Sequence, residues 1–200
     1  MGLQDAHTLR LGIDLDGVVA DFNRGWITRY NREFATDLAP EQVRSWNGLV
    51  PLTHFSGMDE FWGWARSGEY SIFRELPLYD GAVDTLQRLA ADHRIVVVSS
   101  KHDWAIPDTL EWLAEHRFPS REIHFVWDKT SVSCDVYLED APHNLVALRD
   151  THPGRTVCRF VRPWNDPVDG TVDVHDWSDF AAVVDRCAAR RRTGGRSGVA

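Results

Sequence analysis

At four places in this 200-residue chain, acids, hydroxyls or an ammonium group stand where a short apolar run stops. The run "LGIDL" ends in Asp14 and Asp16, two residues apart and followed by Gly17. Residues two apart on an extended chain aim to the same side, and glycine lets the backbone turn away just beyond them. Carboxylates held that close repel each other unless a cation or a shared proton compensates. A hard divalent cation bound through oxygen resolves the repulsion, and Mg²⁺ is the usual one where phosphate is also bound. "RIVVV" ends in Ser99 and Ser100, hydroxyl donors able to receive a phosphate oxygen. "EIHFVW" leads into Asp128 and Lys129, and Lys129 is one of only two lysines in a chain that otherwise uses arginine. "DVYL" ends in a second acidic pair, Glu139 and Asp140.

Taken singly, each feature has a plain structural explanation. Serines and acids at strand ends cap the helices that follow, and an isolated lysine is ordinarily solvated. Acid, hydroxyl, ammonium and acid at four successive strand ends together describe a place for an anion beside a cation.

The elements that must carry these residues follow from periodicity. Short apolar runs at 9–15, 94–100, 122–127, 135–140 and 155–161 read as strands covered on both faces. Helical patterns lie between or after them at 81–93, 105–116, 141–150 and 177–190. Strand and helix in alternation predict an α/β fold with a doubly wound parallel sheet, whose ligands bind at the carboxyl ends of the strands. The interval 23–80 lacks a strand pattern yet holds four of the nine tryptophans, and Phe22, Trp26, Tyr30 and Phe34 recur there at four-residue spacing. Too long for a loop, it is expected to be a small helical cap inserted after the first strand, its aromatics mostly packing the cap itself. The expected organisation is a core of 9–22 and 81–185, a cap of 23–80, and a basic tail of 186–200 without regular structure.

Composition narrows the partners. The formal charge is −8, and setting aside the five arginines of 186–200, where no acid occurs, leaves −13 for the rest. Such acidity argues against a nucleic-acid polymer as ligand and requires a local site for any small anion. No run approaches the roughly 20 apolar residues of a membrane span, and the polar start "MGLQDAHTLR" lacks the apolar centre of a signal peptide, so a cytoplasmic location is expected. Cys134, Cys158 and Cys187 are odd in number and widely spaced, which suggests neither a disulfide framework nor a zinc site. A homodimer is compatible with all of this.

The motifs "DLDGV", "VVVSS", "DK" and "ED", in that order, resemble those of the haloacid dehalogenase (HAD) superfamily of phosphohydrolases. More narrowly, "DLDGVVADF", "IFRELPLYDGAVDTL" and "WDKTSVSCDVYLEDAPHNL" resemble the 5'(3')-deoxyribonucleotidase family of cytosolic type C, and the likeness continues through "RPWN" and "VHDWSDFAAVVD" to about residue 185. The resemblance implies a HAD-like Rossmannoid core with a helical cap, and an Mg²⁺-dependent phosphatase of nucleoside monophosphates working through an aspartyl-phosphate. It casts Asp14 as nucleophile and Asp16 as general acid and base. It puts Mg²⁺ on the Asp14 carboxylate, the Asp16 backbone carbonyl and Asp140, and assigns Ser99, Ser100 and Lys129 to the phosphate. Phe22 matches the phenylalanine that packs against the base, and Phe73 another aromatic near that pocket.

Two departures bear on the substrate. Glu139 stands where these nucleotidases usually have Asp, so its longer side chain is expected to serve the metal only through water or through Lys129. After the second motif the family has Thr-Ser-Pro, whereas this chain has "SSKHD", which puts Lys101 and His102 near the substrate and leaves base preference open. A sugar phosphate or modified nucleotide is the alternative substrate, transfer to an alcohol the alternative reaction, and a non-catalytic phospholigand-binding protein the alternative class.

Overall fold

The computed structural model describes residues 8–194. Six strands form one sheet: β1 Arg10–Ile13, β2 Arg94–Ser99, β3 Glu122–Phe125, β4 Val136–Glu139, β5 Thr156–Phe160 and β6 Val172–Val174. Their order is β3-β2-β1-β4-β5-β6, and all five pairings are parallel. The helices are α1 Phe22–Phe34, α2 Met58–Ala65, α3 Ala82–Leu89, α4 Ile106–Glu115, α5 Pro142–Thr151 and α6 Trp177–Gly194. The expected strands are present with trimmed ends. β6 was not anticipated, because three residues with only Val174 buried carry no readable pattern. In this order the sheet reverses direction of winding between β1 and β4, and the crevice at their carboxyl ends is where such sheets place ligands.

The chain leaves β1 for the 23–80 segment and returns through a narrow neck. Asp21 N–H donates to the Pro77 carbonyl (2.8 Å) and Tyr79 N–H to that of Val19 (2.9 Å). Asp21 also caps α1, accepting from the Arg24 amide at 3.1 Å, which satisfies one of the helix's unpaired donors. The aromatic stripe of α1 faces inward: Trp26 is fully buried edge-on to Phe61 (5.9 Å), and its indole N–H donates to Asn23 (2.9 Å). Only Phe34, at the far end, is exposed. Trp26, Tyr30 and Phe61 belong to the same continuous hydrophobic cluster as Leu11 and Ile13 of β1, so the segment shares the core of the sheet. Emptying the Trp26 site would cost about 3–5 kcal/mol.

The basic tail departs from expectation. From Arg186 to Gly194 the chain continues α6, and Arg191 reaches Asp135 at 2.9 Å. Alanine and arginine are strong helix formers, and arginines near a helix's carboxyl end meet its negative pole favourably. Residues 195–200 of the expected tail lie outside the described residues. No helix among the described residues is long and apolar enough to cross a membrane.

Candidate active site

β1 delivers Asp14 into the crevice while still in the ladder, its amide donating to the Leu138 carbonyl of β4 (3.1 Å). The chain then doubles back, with the amides of Val18, Val19 and Ala20 all donating to the Leu15 carbonyl at 2.8–3.2 Å. Gly17 sits in this turn with φ +78°, and a Cβ there would lie 2.1 Å from Asp140 Oδ2. Glycine is therefore required twice, for backbone conformation and for the approach of the β1 turn to the acid after β4.

Three aspartates in the crevice share one pattern. Asp14 Oδ2 meets Lys129 Nζ at 2.9 Å, Asp16 Oδ2 meets Lys101 Nζ at 2.5 Å, and Asp140 Oδ2 accepts from the Trp164 indole N–H at 2.7 Å. The other oxygen of each, Oδ1, is buried without a hydrogen-bond partner among the described residues. Leaving a buried acceptor unsatisfied costs about 1–3 kcal/mol, and more if it is charged. Three such atoms in one crevice mark a place shaped for something that binds there. Glu139 differs: Oε2 takes Lys129 (2.6 Å) and Oε1 the amides of Asp140 (3.1 Å) and Ala141 (3.0 Å). Asp14, Glu139 and Asp140 can each offer an oxygen within 4.8 Å of the others, but Glu139 is already fully engaged. Asp14 and Asp140 are thus the carboxylates left for a cation, and an all-oxygen donor set fits a hard divalent ion.

The electrostatics agree with the geometry. Burial, and then the charge of Asp14, push the Asp140 carboxyl upward. Asp16 is also raised, chiefly by burial and despite Lys101. Burial lowers Lys101, with Asp16 opposing. Burial works against the Lys129 ammonium too, but Asp14 and Glu139 reverse the effect and hold it charged.

The remaining expected residues are placed unevenly. Ser99 is buried at the end of β2, the strand beside β1. The Ser100 hydroxyl donates to the Val126 carbonyl (2.9 Å), tying β2 to the chain after β3. Lys101 does not reach outward: it is buried on Asp16, with its Nζ 3.9 Å from the Phe73 ring centre. His102 stacks on Trp104 (5.3 Å, 10°) and meets Trp62 edge-on at 5.0 Å. Phe22 and Phe73 stack on each other at 5.9 Å. Phe73 is buried behind, and half-buried Phe22 has surface to offer.

Sequence reasoning missed the contribution of "RPWN", which follows β5. Arg162 Nε donates to the Gly17 carbonyl (2.7 Å), its guanidinium lying 3.8 Å from the Tyr79 ring centre and 3.9 Å from that of Phe160. Trp164 holds Asp140, and the Asn165 amide donates to the backbone carbonyls of Asp140 (2.8 Å) and Phe160 (2.9 Å). The available signal was position, since the motif stands at a fifth strand end. Size does not locate the site: the wide cleft of about 490 Å³ between Arg24, Arg29 and Tyr70 includes none of the clustered carboxylates.

A parallel sheet of this order, with carboxylates after β1 and β4, a serine ending β2 and a buried lysine before β4, defines a haloacid-dehalogenase-like hydrolase. The chain belongs to the 5' nucleotidase, deoxy (pyrimidine), cytosolic type C protein family, whose profile matches residues 8–191, and is thereby a phosphoric monoester hydrolase. Among curated relatives, a "Putative 5'(3')-deoxyribonucleotidase" of Chlorobaculum tepidum is 30% identical over 72% of this chain and 75% of its own. A 5'(3')-deoxyribonucleotidase of Clostridium acetobutylicum is 29% identical over 76% of this chain and 87% of its own. Among solved structures, the haloacid dehalogenase-like hydrolase SP0104 of Streptococcus pneumoniae superposes with a TM-score of 0.62 at 14% identity, covering 88% of this chain and 98% of that one. That likeness is one of fold.

Proposed function

We propose that this protein is a Mg²⁺-dependent phosphatase of nucleoside monophosphates, deoxyribonucleotides favoured, acting in the cytosol through an aspartyl-phosphate. The observation that carries the reading is the trio of aspartates, each anchored through one oxygen and bare at the other. Mg²⁺ would be held by the Asp14 and Asp140 carboxylates and the Asp16 backbone carbonyl; when bound it supplies charge neutralisation for the phosphoryl group.

The chain's own residues divide the work. An Asp14 carboxylate oxygen attacks phosphorus, forming the oxygen–phosphorus bond of an acyl phosphate as the bond to the leaving alkoxide breaks, and Asp16 delivers a proton to that alkoxide. In the second half Asp16 takes a proton from water as the water attacks phosphorus. The bond to Asp14 breaks, releasing inorganic phosphate. Ser99 donates to a phosphoryl oxygen, and Lys129, fixed between Asp14 and Glu139, keeps a positive charge beside the transferring group. Glu139 acts by holding Lys129. Phe22 offers an aromatic face to the base, and His102 with Trp62 borders the same side.

The departure at His102, set against Trp62 and Trp104, favours a second reading in which the same chemistry serves a sugar phosphate or a modified nucleotide. A panel of nucleoside 5'- and 3'-monophosphates and sugar phosphates, scored by Mg²⁺-dependent phosphate release, separates the two. Preference for deoxyribonucleotides is expected, with Asp14→Asn inactive by at least about 10⁴-fold, the scale of losing a nucleophile. Indifference to the nucleoside would defeat the substrate reading. An active, folded Asp14→Asn protein would defeat the mechanism, and a folded wild-type protein inactive on the whole panel would favour the non-catalytic role.

A further inference from the structure

Both lysines of this chain lie buried in the crevice, on different aspartates. Lys129 bridges Asp14 and Glu139. Lys101 has one hydrogen bond among the described residues, to Asp16 Oδ2 at 2.5 Å, and it comes from the chain just after β2, 85 residues away in sequence. Burying an ammonium group is expensive unless it is paired. Here the cost is offset by the Asp16 charge and by the Phe73 ring 3.9 Å away. That ring is itself fixed by Phe22 at 5.9 Å and Trp104 at 5.8 Å, so the ammonium rests on a rigid floor.

A carboxylate with two free oxygens can turn about its last torsion and present either one. Tethered at Oδ2 to a fixed ammonium, Asp16 is left with Oδ1, the atom that is buried and has no partner among the described residues. We propose that Lys101 is the positioning residue of Asp16, selecting which carboxylate oxygen exchanges the proton with the leaving group and with water. The proposal rests on the reading of Asp16 as general acid and base. It moves Lys101 away from direct contact with the substrate, since its ammonium is committed to Asp16 and its side chain is 1% exposed.

A role through Asp16 must appear where protonation of the leaving group matters and vanish where it does not. The variants are Lys101→Met, Asp16→Asn and the double variant, each measured as kcat/KM, which reports phosphorylation of Asp14. The substrates are p-nitrophenyl phosphate, phenyl phosphate, an alkyl phosphate and a nucleoside 5'-monophosphate. Lys101→Met is expected to lose about 10- to 100-fold on the alkyl and nucleoside esters, a fraction of what a misplaced general acid can cost. It should lose little on p-nitrophenyl phosphate, whose leaving group needs no proton. The double variant should be no slower than Asp16→Asn alone, because residues acting as one unit are non-additive. Lys101→Arg should recover part of the loss, and it also serves if the methionine variant fails to fold by near-UV circular dichroism.

Equal losses on all four esters, additive losses in the double variant, or weakened competitive inhibition by inorganic phosphate would overturn the proposal, the last by making Lys101 a phosphate ligand. A wild-type protein that cleaves aryl and alkyl esters but no nucleotide removes the substrate reading, while the aryl–alkyl comparison still decides the role of Lys101. A wild-type protein inactive on every ester removes Asp16's role and that of Lys101 with it.

Discussion

Charged residues gather at both ends of the sheet, and the two gatherings are opposite in kind. At the amino end, Arg10 grips Glu122 with two nitrogens (2.8 and 2.7 Å), and His124 shares Glu122 Oε1 at 2.9 Å. Beside them Asp135 accepts from Arg155 through Oδ1, and from the Arg10 amide and Arg191, each at 2.9 Å, through Oδ2. Every carboxylate oxygen in that group has a donor. At the carboxyl end, Asp14 and Asp140 are buried and Asp16 partly so, yet each keeps one oxygen without a partner among the described residues. Acidic side chains thus hold strands together at one end and stand ready for a ligand at the other. What distinguishes the two is saturation of hydrogen bonds rather than the number of charges, because an unpaired buried oxygen is a cost that folding alone does not repay.

The sharpest way to break this contrast is Asp140→Asn. Turnover should fall by more than about 100-fold, beyond the 10- to 100-fold typical of changes one shell removed from a metal. The rise in melting temperature on adding Mg²⁺ should disappear. The metal-free melting temperature should hold or rise, since burial and Asp14 disfavour the Asp140 charge. A fall in calorimetry without metal would show that Asp140 is a structural acid like those at the other end. Gly17→Ala comes next: φ +78° and a Cβ 2.1 Å from Asp140 Oδ2 should cost about 1–3 kcal/mol in denaturant unfolding and weaken Mg²⁺ binding in titration calorimetry.

The smallest effects belong to the saturated end, and they should appear in stability alone. Glu122→Gln is expected to cost under about 1 kcal/mol at pH 7, because the pair is partly open to water, and to leave kcat/KM unchanged. Arg10, then His124, hold the Glu122 carboxyl down to about 2. A depressed carboxyl stabilises the fold above the unfolded carboxylate range and loses that contribution as pH falls through its folded value. The difference in urea midpoint between wild type and Glu122→Gln should therefore shrink below pH 4 and vanish near pH 2. Any loss of turnover in this variant would mean that the two ends of the sheet are coupled.

Much of the fold was legible because strands buried on both faces must be continuously apolar, as Ile95 to Val98 are, and because charge interrupts them only where the chain leaves the sheet. That Asp14, Ser99, Lys129 and Asp140 stand at or just beyond strand ends was readable for that reason. The bond from Ser100 to the Val126 carbonyl was not readable, because its residue type is the same whether its hydroxyl faces a ligand or a carbonyl. Phe22 and Phe73 were expected near one pocket, and their mutual stacking depends on the path of the segment between α1 and α3. β6 and the helical continuation of α6 are short or compositionally ambiguous, so tertiary packing decides them.

By itself, the sequence determined the alternation of elements, the parallel sheet, and the strand ends at which acid, hydroxyl and ammonium would appear. These are consequences of local periodicity, which a reader can follow along the chain. Only the tertiary structure decided which oxygen of each aspartate is taken and which is bare. Lys101 reaches Asp16 across 85 residues, Trp164 reaches Asp140 across 24, and Arg162 reaches the Gly17 carbonyl across 145. Such pairings leave no periodic trace, because each depends on two turns meeting over the β1–β4 crevice. The sequence supplies the acids; the folded chain, by choosing a donor for one oxygen of each, leaves the other for chemistry.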